Sequence, residues 1–547
     1  MPALLEILSD YVLEGTRRAQ QSGALPAFDL PEQAPINRPK RPEWGDFSSA
    51  LALQLAASAH KKPLEIAQTI QQHLPPVALV DSSSVSPPGF LNLVLSKPWL
   101  KSQVEVILQA GAQYADIERG GGQKAQVEFV SANPTGPLSV GRGRGAVIGD
   151  TMANLLEAAD YRVTREYYFN NAGKQMHDLG ESLRLRYLQA LGQEVEIPEG
   201  LYQGEYLLDL ANQLVSEHGR ALAEEGWEYF KEVAEAAMFE SIQATLERLN
   251  IEMDVFFNEN SLYEDGSVWE VLDLLRQKDY IYEQDGATWF QATRLGGTED
   301  RVVVRSNGEP TYRLPDIAYH RNKLERGFSL VLDVLGADHK DAFPDVVRGV
   351  KVLGYDASKI DVLFNQFVTV RGERMSTRAG HFTLLDELID EVGPDVVRFF
   401  MLMRSADSHL EFDLDLALEQ SEKNPVYYVQ YAHTRICSIL NKAEQRGFSS
   451  ASGDVTLLEH PSEKALILEL LNLSDVIAQS IDEKAPHLLS TYARDLASVF
   501  HAFYRDCLVL DESQPELSRA RLKLVRAARI GLARSLDLLG VAAPESM

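Results

Sequence analysis

The sequence predicts an α/β protein built on a doubly wound, parallel-sheet (Rossmann-like) domain, with a small α+β domain before it and an all-α bundle after it. Three observations predict this. Residues 127–159 read as a short apolar strand, a Pro/Gly loop and a glycine-rich helix start. Apolar strand-like runs then alternate with helical patterns as far as about residue 410, as parallel α/β units require. From about Asp415 onward the periodicity is helical, in segments of bundle length. The chain's 547 residues are too many for one core. We place the units at 1–115, 120–412 and 413–547, with a helical insertion at about 174–295.

In chain order, Trp44 opens with turn chemistry and leads into an apolar helix that Lys62-Pro63 breaks. Leu64 to Leu74 resumes helical spacing. The loop Ser82–Gly89 precedes a strand at Phe90–Leu95, and Gly120–Gly122 reads as a linker. Val127–Val130 is a strand, Arg144–Ala159 a helix and Val163–Phe169 a strand. Residues 174–250 are helical and acidic. Further strands are expected at Arg301–Arg305, Leu330–Leu335 and Asp361–Val370.

Hydrophobic residues make up 45% and charged residues 24%, as in ordinary globular proteins. No apolar run is long enough to span a bilayer. The first ten residues lack a basic n-region, so no signal peptide is expected. Cys437 and Cys507 are the only cysteines, too few for a disulfide framework, so a cytoplasmic protein is expected. The net charge of −27 is uneven: residues 181–260 hold 17 acids and 5 bases, whereas residues 1–110 hold 10 and 9. Arg519, Arg521, Lys523, Arg526, Arg529 and Arg534 form a run without an acid. It reads either as a solvated helix face or as a phosphate-binding surface.

Gly141-Arg-Gly-Arg-Gly-Ala146 matches the dinucleotide fingerprint, with Glu166 20 residues later. The same glycines suit any tight strand-to-helix turn, and the other motifs favour ATP over a nicotinamide cofactor. A helix start of this kind offers free N–H groups and a positive dipole end to phosphates. Glu128 lies on the strand before it, near the sheet's C-terminal edge. Tyr312 and Asp316, four apart, share one face of a helical turn. Leu335-Gly-Ala-Asp-His339 follows a strand. Arg371-Gly-Glu-Arg-Met-Ser-Thr-Arg378 sets a Met-Ser pair among cations suited to phosphate oxygens. Tyr427, Tyr428 and Tyr431 offer stacking faces for unpaired bases, or a core stripe.

The stretch Ser131-Ala-Asn-Pro-Thr-Gly-Pro-Leu138, the Tyr312/Asp316 pair, the Gly-Ala-Asp-His loop, the Arg-Met-Ser segment and Asn424–Arg435 together resemble bacterial class I arginyl-tRNA synthetases. The resemblance covers nearly the whole chain. It implies an arginine–tRNA ligase acting through arginyl-adenylate, with ATP and Mg2+ as substrate, no tightly bound cofactor and no protein-held metal. Arginine and its tRNA are the implied partners, and a monomer is expected. The implied arginine-binding residues are Glu128, Ser131, Asn133, Tyr312 and Asp316. Those implied for ATP are Pro134, Gly141, Gly143, Arg144, Asp338, His339 and Met375. Catalysis falls to Ser139, Arg142, Arg374, Ser376 and Arg378, and tRNA contacts to Tyr427, Tyr428, Tyr431 and Arg435. Residues 1–115 match the family's extra N-terminal tRNA-binding domain and 413–547 its anticodon-binding domain. Where the family has His-X-Gly-His this chain has Ser139-Val140-Gly141-Arg142, and Asn171 stands where the family usually has Asp. The alternative function is a catalytically weakened or inactive relative that binds tRNA or arginine as a regulator or carrier.

Overall fold

The computed structural model describes residues 3–39, 41–370, 373–374 and 384–547. The first unit contains α1 (Leu4–Gln21), β1 (Ile36–Asn37), β2 (Phe47–Ser49), α2 (Leu51–Ala59), α3 (Pro63–His73), β3 (Val80–Ser86), β4 (Phe90–Leu95) and α4 (Lys97–Ala110). Its antiparallel sheet has the order β1-β2-β4-β3. The helix expected directly after Trp44 begins only at Leu51, because Phe47–Ser49 pairs with Leu91–Leu93 as a strand.

The second unit runs through β5 (Lys124–Glu128), α5 (Val140–Ala158), β6 (Arg162–Phe169), α6 (Lys174–Ala190), α7 (Glu205–His218), α8 (Trp227–Arg248), β7 (Val255–Asn258), α9 (Asn260–Glu264) and α10 (Ser267–Gln277). It continues through β8 (Ile281–Gln284), β9 (Ala287–Phe290), β10 (Arg301–Val304), α11 (Arg313–Glu325), β11 (Leu330–Gly336), α12 (Phe343–Leu353), β12 (Ile360–Asn365), β13 (Val368–Val370) and β14 (Glu373–Arg374). After these come α13 (Leu385–Val392), α14 (Pro394–Met401), β15 (Leu410–Phe412) and α15 (Leu414–Leu418).

Five strands form one parallel sheet in the order β12-β11-β5-β6-β7. The order reverses between β5 and β11. Ligands of doubly wound sheets bind at such a reversal, beyond the carboxyl ends of the strands. Glu128 ends β5 at that point, and α5 begins just past it.

Three further expected features differ. The segment 174–295 is not purely helical: α6, α7 and α8 give way to β7, which adds a fifth strand to the main sheet. Residues 301–304 form the third strand of a separate antiparallel sheet, β10-β9-β8. Asp285 (φ 54°) and Gly286 (φ 74°) make the tight turn that pairs β8 with β9, as an Asp-Gly dipeptide favours. The expected strand 361–370 divides between β12 and β13, and β13 belongs to a small β14-β13-β15 sheet.

The last helices are α16 (Pro425–Gln445), α17 (Pro461–Asp482), α18 (His487–Asp506) and α19 (Pro515–Leu538). Asn424 caps α16 by accepting from the backbone N–H of Val426 at 3.0 Å. The cationic run lies on α19 and is neither free surface nor wholly solvated. Arg521 bonds Glu463 of α17, Lys523 bonds Glu105 of α4 and Arg534 bonds Asp116. The first unit is further tied to α17 by Leu5 N–H to Asp475 (2.9 Å) and Tyr114 O–H to the Leu470 carbonyl (2.6 Å). Buried Arg398 of α14 donates to the carbonyls of Leu249 and Leu539 (both 2.7 Å) and to Asp150 of α5 (2.6 Å).

The main sheet and α5 meet very closely. A Cβ at Gly149 would lie 2.2 Å from Cγ of Phe129, which is fully buried. Gly149→Ala should therefore cost about 1–3 kcal/mol by overpacking. Thermal unfolding should show a lowered midpoint, and an unchanged midpoint would mean that the Phe129 ring moves aside freely.

Candidate functional site

Register places three acids side by side. Glu128 on β5 is paired with Asp333 on β11 and with Glu166 on β6. In-register residues of a parallel sheet share a face, so the three carboxylates form a row, and all three are buried. Helix α11 crosses this face with matching donors. Tyr319 O–H donates to Glu166 at 2.6 Å, and Arg326 contacts both Glu166 oxygens at 2.5 and 2.7 Å. His320 Nε2 lies 2.7 Å from Asp333. The Lys323 ammonium bridges Glu128 Oε2 and Asp333 Oδ1, each at 2.5 Å. Burial raises the pKa of Glu128 despite Lys323. Burial also opposes ionisation of Asp333, but Lys323 and His320 outweigh it and hold that carboxyl low.

Asp316 lies one turn before His320 on α11. Burial pushes its carboxyl up to about 7, and Glu259 and Glu128 add to the effect. Among the described residues none donates a hydrogen bond to this carboxylate. Glu259, just after β7, is buried and accepts from Tyr168 O–H (2.7 Å) and Asn170 Nδ2 (2.9 Å). These donors are neutral, and burial raises the Glu259 pKa as well. Three carboxylates thus converge with one fixed cation, Lys323, which Asp333 shares. Such a site suits a cationic ligand, and two or more carboxylate edges suit a planar guanidinium. Tyr312 precedes α11 and is 77% exposed. It shares the Asp316 end of the helix without being buried there.

The loop after β5 is held in a demanding conformation. Val130 and Ser131 have φ of 67° and 41°, costly for a β-branched residue. Ser131 Oγ donates to Glu128 Oε1 at 2.9 Å and accepts from Tyr168 N–H at 3.2 Å. Asn133 accepts from Asn170 N–H and donates to Gln175 of α6 (2.8 Å). Tyr206 of α7 donates to the Thr135 carbonyl at 2.7 Å. The helices after β6 therefore brace the loop, while Pro134 is buried within it.

Ser139 is the N-cap of α5, and its side chain makes no capping bond. Arg142 is exposed, and among the described residues its side chain makes one hydrogen bond, a long one of 3.4 Å to the Val130 carbonyl. A Cβ at Gly141 would meet nothing among the described residues nearer than Ser139 Oγ at 3.9 Å, whereas a Cβ at Gly143 would strike Leu385 at 2.7 Å. Gly141 leaves open space at the helix start, and Gly143 serves packing. The expected ATP contact by Arg144 is a correction. Arg144 is 0% exposed and donates to the carbonyls of Ser405 (2.9 Å), Ser408 (2.7 Å) and Gln366 (3.1 Å). Burial lowers its pKa to about 10. Its guanidinium anchors the loop before β15 and cannot reach a phosphate at the helix start.

Asp338 and His339 are exposed on a short 3-10 turn at the carboxyl end of β11, beside the same crevice. Arg374 lies on β14, its backbone paired with Thr369. Met375, Ser376 and Arg378 fall outside the described residues. In the helical bundle, Tyr427, Tyr428 and Tyr431 are all half-buried, not divided between core and surface. The Tyr427 and Tyr431 rings stack at 6.1 Å. Arg435 donates to Tyr431 O–H at 2.6 Å and lies over the Tyr431 and Tyr504 rings.

Glu259, Lys323 and Asp333 were missed from sequence because nothing local marks them. Glu259 is one acid in an acidic stretch, and Lys323 one cation on a charged helix. Lys323 is identified by its spacing from Asp316 along α11, Asp333 by its pairing with β5 and Glu259 by its place at the end of β7, only once the register is known.

Comparison with known proteins agrees with this geometry. The family model described as "tRNA synthetases class I (R), catalytic domain" matches residues 103–401. The "Arginyl tRNA synthetase N terminal domain" matches 14–95 and the "DALR anticodon binding domain" 429–547. The chain is 48% identical to the arginine–tRNA ligase of Pelodictyon phaeoclathratiforme, over 94% of this chain and 96% of that one. It is 46% identical to that of Salinibacter ruber, over 99% and 100%. The solved structure of a putative arginyl-tRNA synthetase from Campylobacter jejuni aligns with a TM-score of 0.76 and 32% identity, covering 83% of this chain and all of that one. The crevice at the strand reversal, its acid-rich lining and these three matched regions place this chain in the family of class I arginyl-tRNA synthetases.

Proposed function

We propose that the chain is an arginine–tRNA ligase that activates L-arginine with ATP and transfers it to the 3′ end of its tRNA. The single observation that carries this reading is Asp316, a half-buried carboxylate to which none of the described residues donates a hydrogen bond, beside Glu128 and Glu259. The side chain of arginine supplies the missing charge and fits two carboxylates in one plane. Ser131, bonded to Glu128, and Asn133 lie on the loop that leaves β5, where the amino-acid backbone would rest.

In the first step the arginine carboxylate attacks the α-phosphorus of ATP, a carboxylic–phosphoric anhydride bond to AMP forms and pyrophosphate leaves. The charge that builds on the phosphate oxygens falls at the start of α5. Arg142 supplies a cation there, Ser139 a hydroxyl donor and the open space at Gly141 room for close approach. In the second step a terminal ribose hydroxyl of tRNA attacks the activated carbonyl and AMP leaves. Mg2+ enters with ATP as part of the substrate, and Asp338 and His339 flank the adenosine side. We infer that the tRNA rests on residues 1–115 and on the helical bundle, away from the acidic α6–α8 helices, and that one chain suffices for the reaction.

Arginine affinity should fall as pH drops below about 7 and level off above it, because binding requires ionised Asp316. In the ligand-free protein the same raised pKa favours the protonated carboxyl, so this group lowers stability as pH rises from about 4, its unfolded value, through 7. Calorimetry across pH 5.5–8.5 (about one proton's linkage) checks this, and Asp316→Asn should flatten the profile while weakening binding by ~1.5–3 kcal/mol.

Arg142 stabilises phosphate in the ground state as well as in the transition state, which limits the rate. Ser139→His with Arg142→His should raise arginine-dependent ATP–pyrophosphate exchange by about tenfold or more, and Arg142→Ala should lower it. An exchange rate that is absent before and after the double change would favour the carrier reading instead.

Tyr431→Ala or Arg435→Ala should weaken tRNA binding by ~1–3 kcal/mol, the usual worth of one stacking face, without altering arginine exchange. Filter binding at several salt concentrations measures it, and unaltered tRNA affinity in both variants would remove this helix from the interface.

A further inference from the structure

The Lys323 ammonium is fully buried in the wall of the arginine crevice, between β5 and β11. It contacts Glu128 and Asp333, each at 2.5 Å, and lies 4.3 Å from the centre of the Tyr319 ring. The three acids of the row are served differently. Glu166 takes a fork of two bonds from Arg326 and one from Tyr319. Asp333 has His320 besides Lys323. Glu128, which ends its strand at the crevice, has only Lys323 on Oε2 and the neutral Ser131 hydroxyl on Oε1. Resting on the arginine-binding reading above, we propose that Lys323 is a positioning and specificity residue. It pins Glu128 by one oxygen, keeps that carboxylate charged, and fills with a fixed ammonium the place where a substrate's ammonium would otherwise settle. A planar guanidinium then remains the favoured cation for the edge that Glu128 and Asp316 present, and lysine is rejected.

The chemistry supports each part. An ammonium is a compact point charge that satisfies two carboxylates from one position. A guanidinium spreads its donors in a plane and can use carboxylate edges that a point charge leaves vacant. Breaking a buried pair leaves an uncompensated charge, and the carboxylate left behind then takes up a proton. Burial already favours that outcome at Glu128. The groups facing Glu128 are Asp333 on β11, Glu166 on β6, Asp316, Tyr319, His320 and Lys323 on α11, and Tyr168 beyond the loop. Lys323 is the one cation of this set that bonds Glu128 directly, so its removal selects Glu128 as the group that protonates.

The test compares the full-length natural chain with Lys323→Met, Lys323→Gln and Glu128→Gln. Arginine and lysine binding are measured by calorimetry from about pH 6 to 9, in buffers of different ionisation heat so that linked protons are counted. Lys323→Gln retains an N–H donor group without the charge, though over a shorter reach, so it carries the test if the Met variant does not fold. With either Lys323 variant, arginine affinity near pH 7 should fall by about tenfold, the worth of one charged contact. The loss should shrink towards pH 9, about one additional proton should be released on binding, and the preference for arginine over lysine should narrow. Lys323→Gln with unchanged proton linkage and unchanged preference would overturn the proposal, and Lys323 would then be a core ion pair only. Glu128→Gln separates the two levels. If it binds arginine as the natural chain does, the arginine pocket itself has been misplaced. If it binds weakly while Lys323→Gln is unaffected, the pocket stands and the role of Lys323 falls.

Discussion

Three carboxylates in register across β6, β5 and β11 can be buried only because α11 brings a donor to each of them. Uncompensated, buried carboxylates cost far more than a domain's margin of stability. The crossing of α11 over the sheet is therefore fixed by charge pairing as well as by apolar contact. The pairing also fixes what lies at the helix's other end. Asp316 reaches the crevice because Tyr319, His320, Lys323 and Arg326 are already committed behind it. The carboxylates at the crevice are thus held by side chains already bonded behind them, as a precise site requires.

The same use of polar groups as fasteners recurs at the joints between units. Arg398 ties α14 to α5, to the end of α8 and to the chain after α19. Lys523 and Arg534 of α19 fasten the first unit to the bundle. Of the six cations in the α19 run, Arg521, Lys523 and Arg534 are held in ion pairs to neighbouring segments, while Arg526 and Arg529 stay exposed. Arg435, set between the Tyr431 and Tyr504 rings, is a cation kept near the surface with aromatic faces beside it.

Much of the plan was legible from sequence, and the limits have physical causes. The β5–loop–α5 passage could be read because a glycine-rich turn and a polar strand end leave local marks. Asp316 was singled out from its spacing to Tyr312, which itself stands exposed before the helix. Arg144 was misread because a basic residue in a glycine-rich helix start looks like a phosphate ligand, and only packing reveals that its side chain turns towards Ser405 and Ser408. Residues 301–304 looked like another strand of the main sheet because a short apolar strand does not declare its partner. The Asp285-Gly286 turn was the available clue to a hairpin. Lys323 and Glu259 were invisible for a different reason: their meaning lies in which strand neighbours which, and that is a property of topology rather than of any window of sequence.

The order of the main sheet also shapes how the chain must fold. The neighbours of β5 are β6, which follows after one helix, and β11, which begins at Leu330, some two hundred residues later. Until that distant segment arrives, β5 is an open edge whose N–H and C=O groups invite any other strand. Parallel pairings over such separations form slowly, and the partly built sheet is exposed to aggregation in the interval. Glu128 and Glu166 then lie near the open edge as unpaired charges, which discourages adventitious strand addition. The acids that later line the crevice thus also protect the chain while its fold is unfinished.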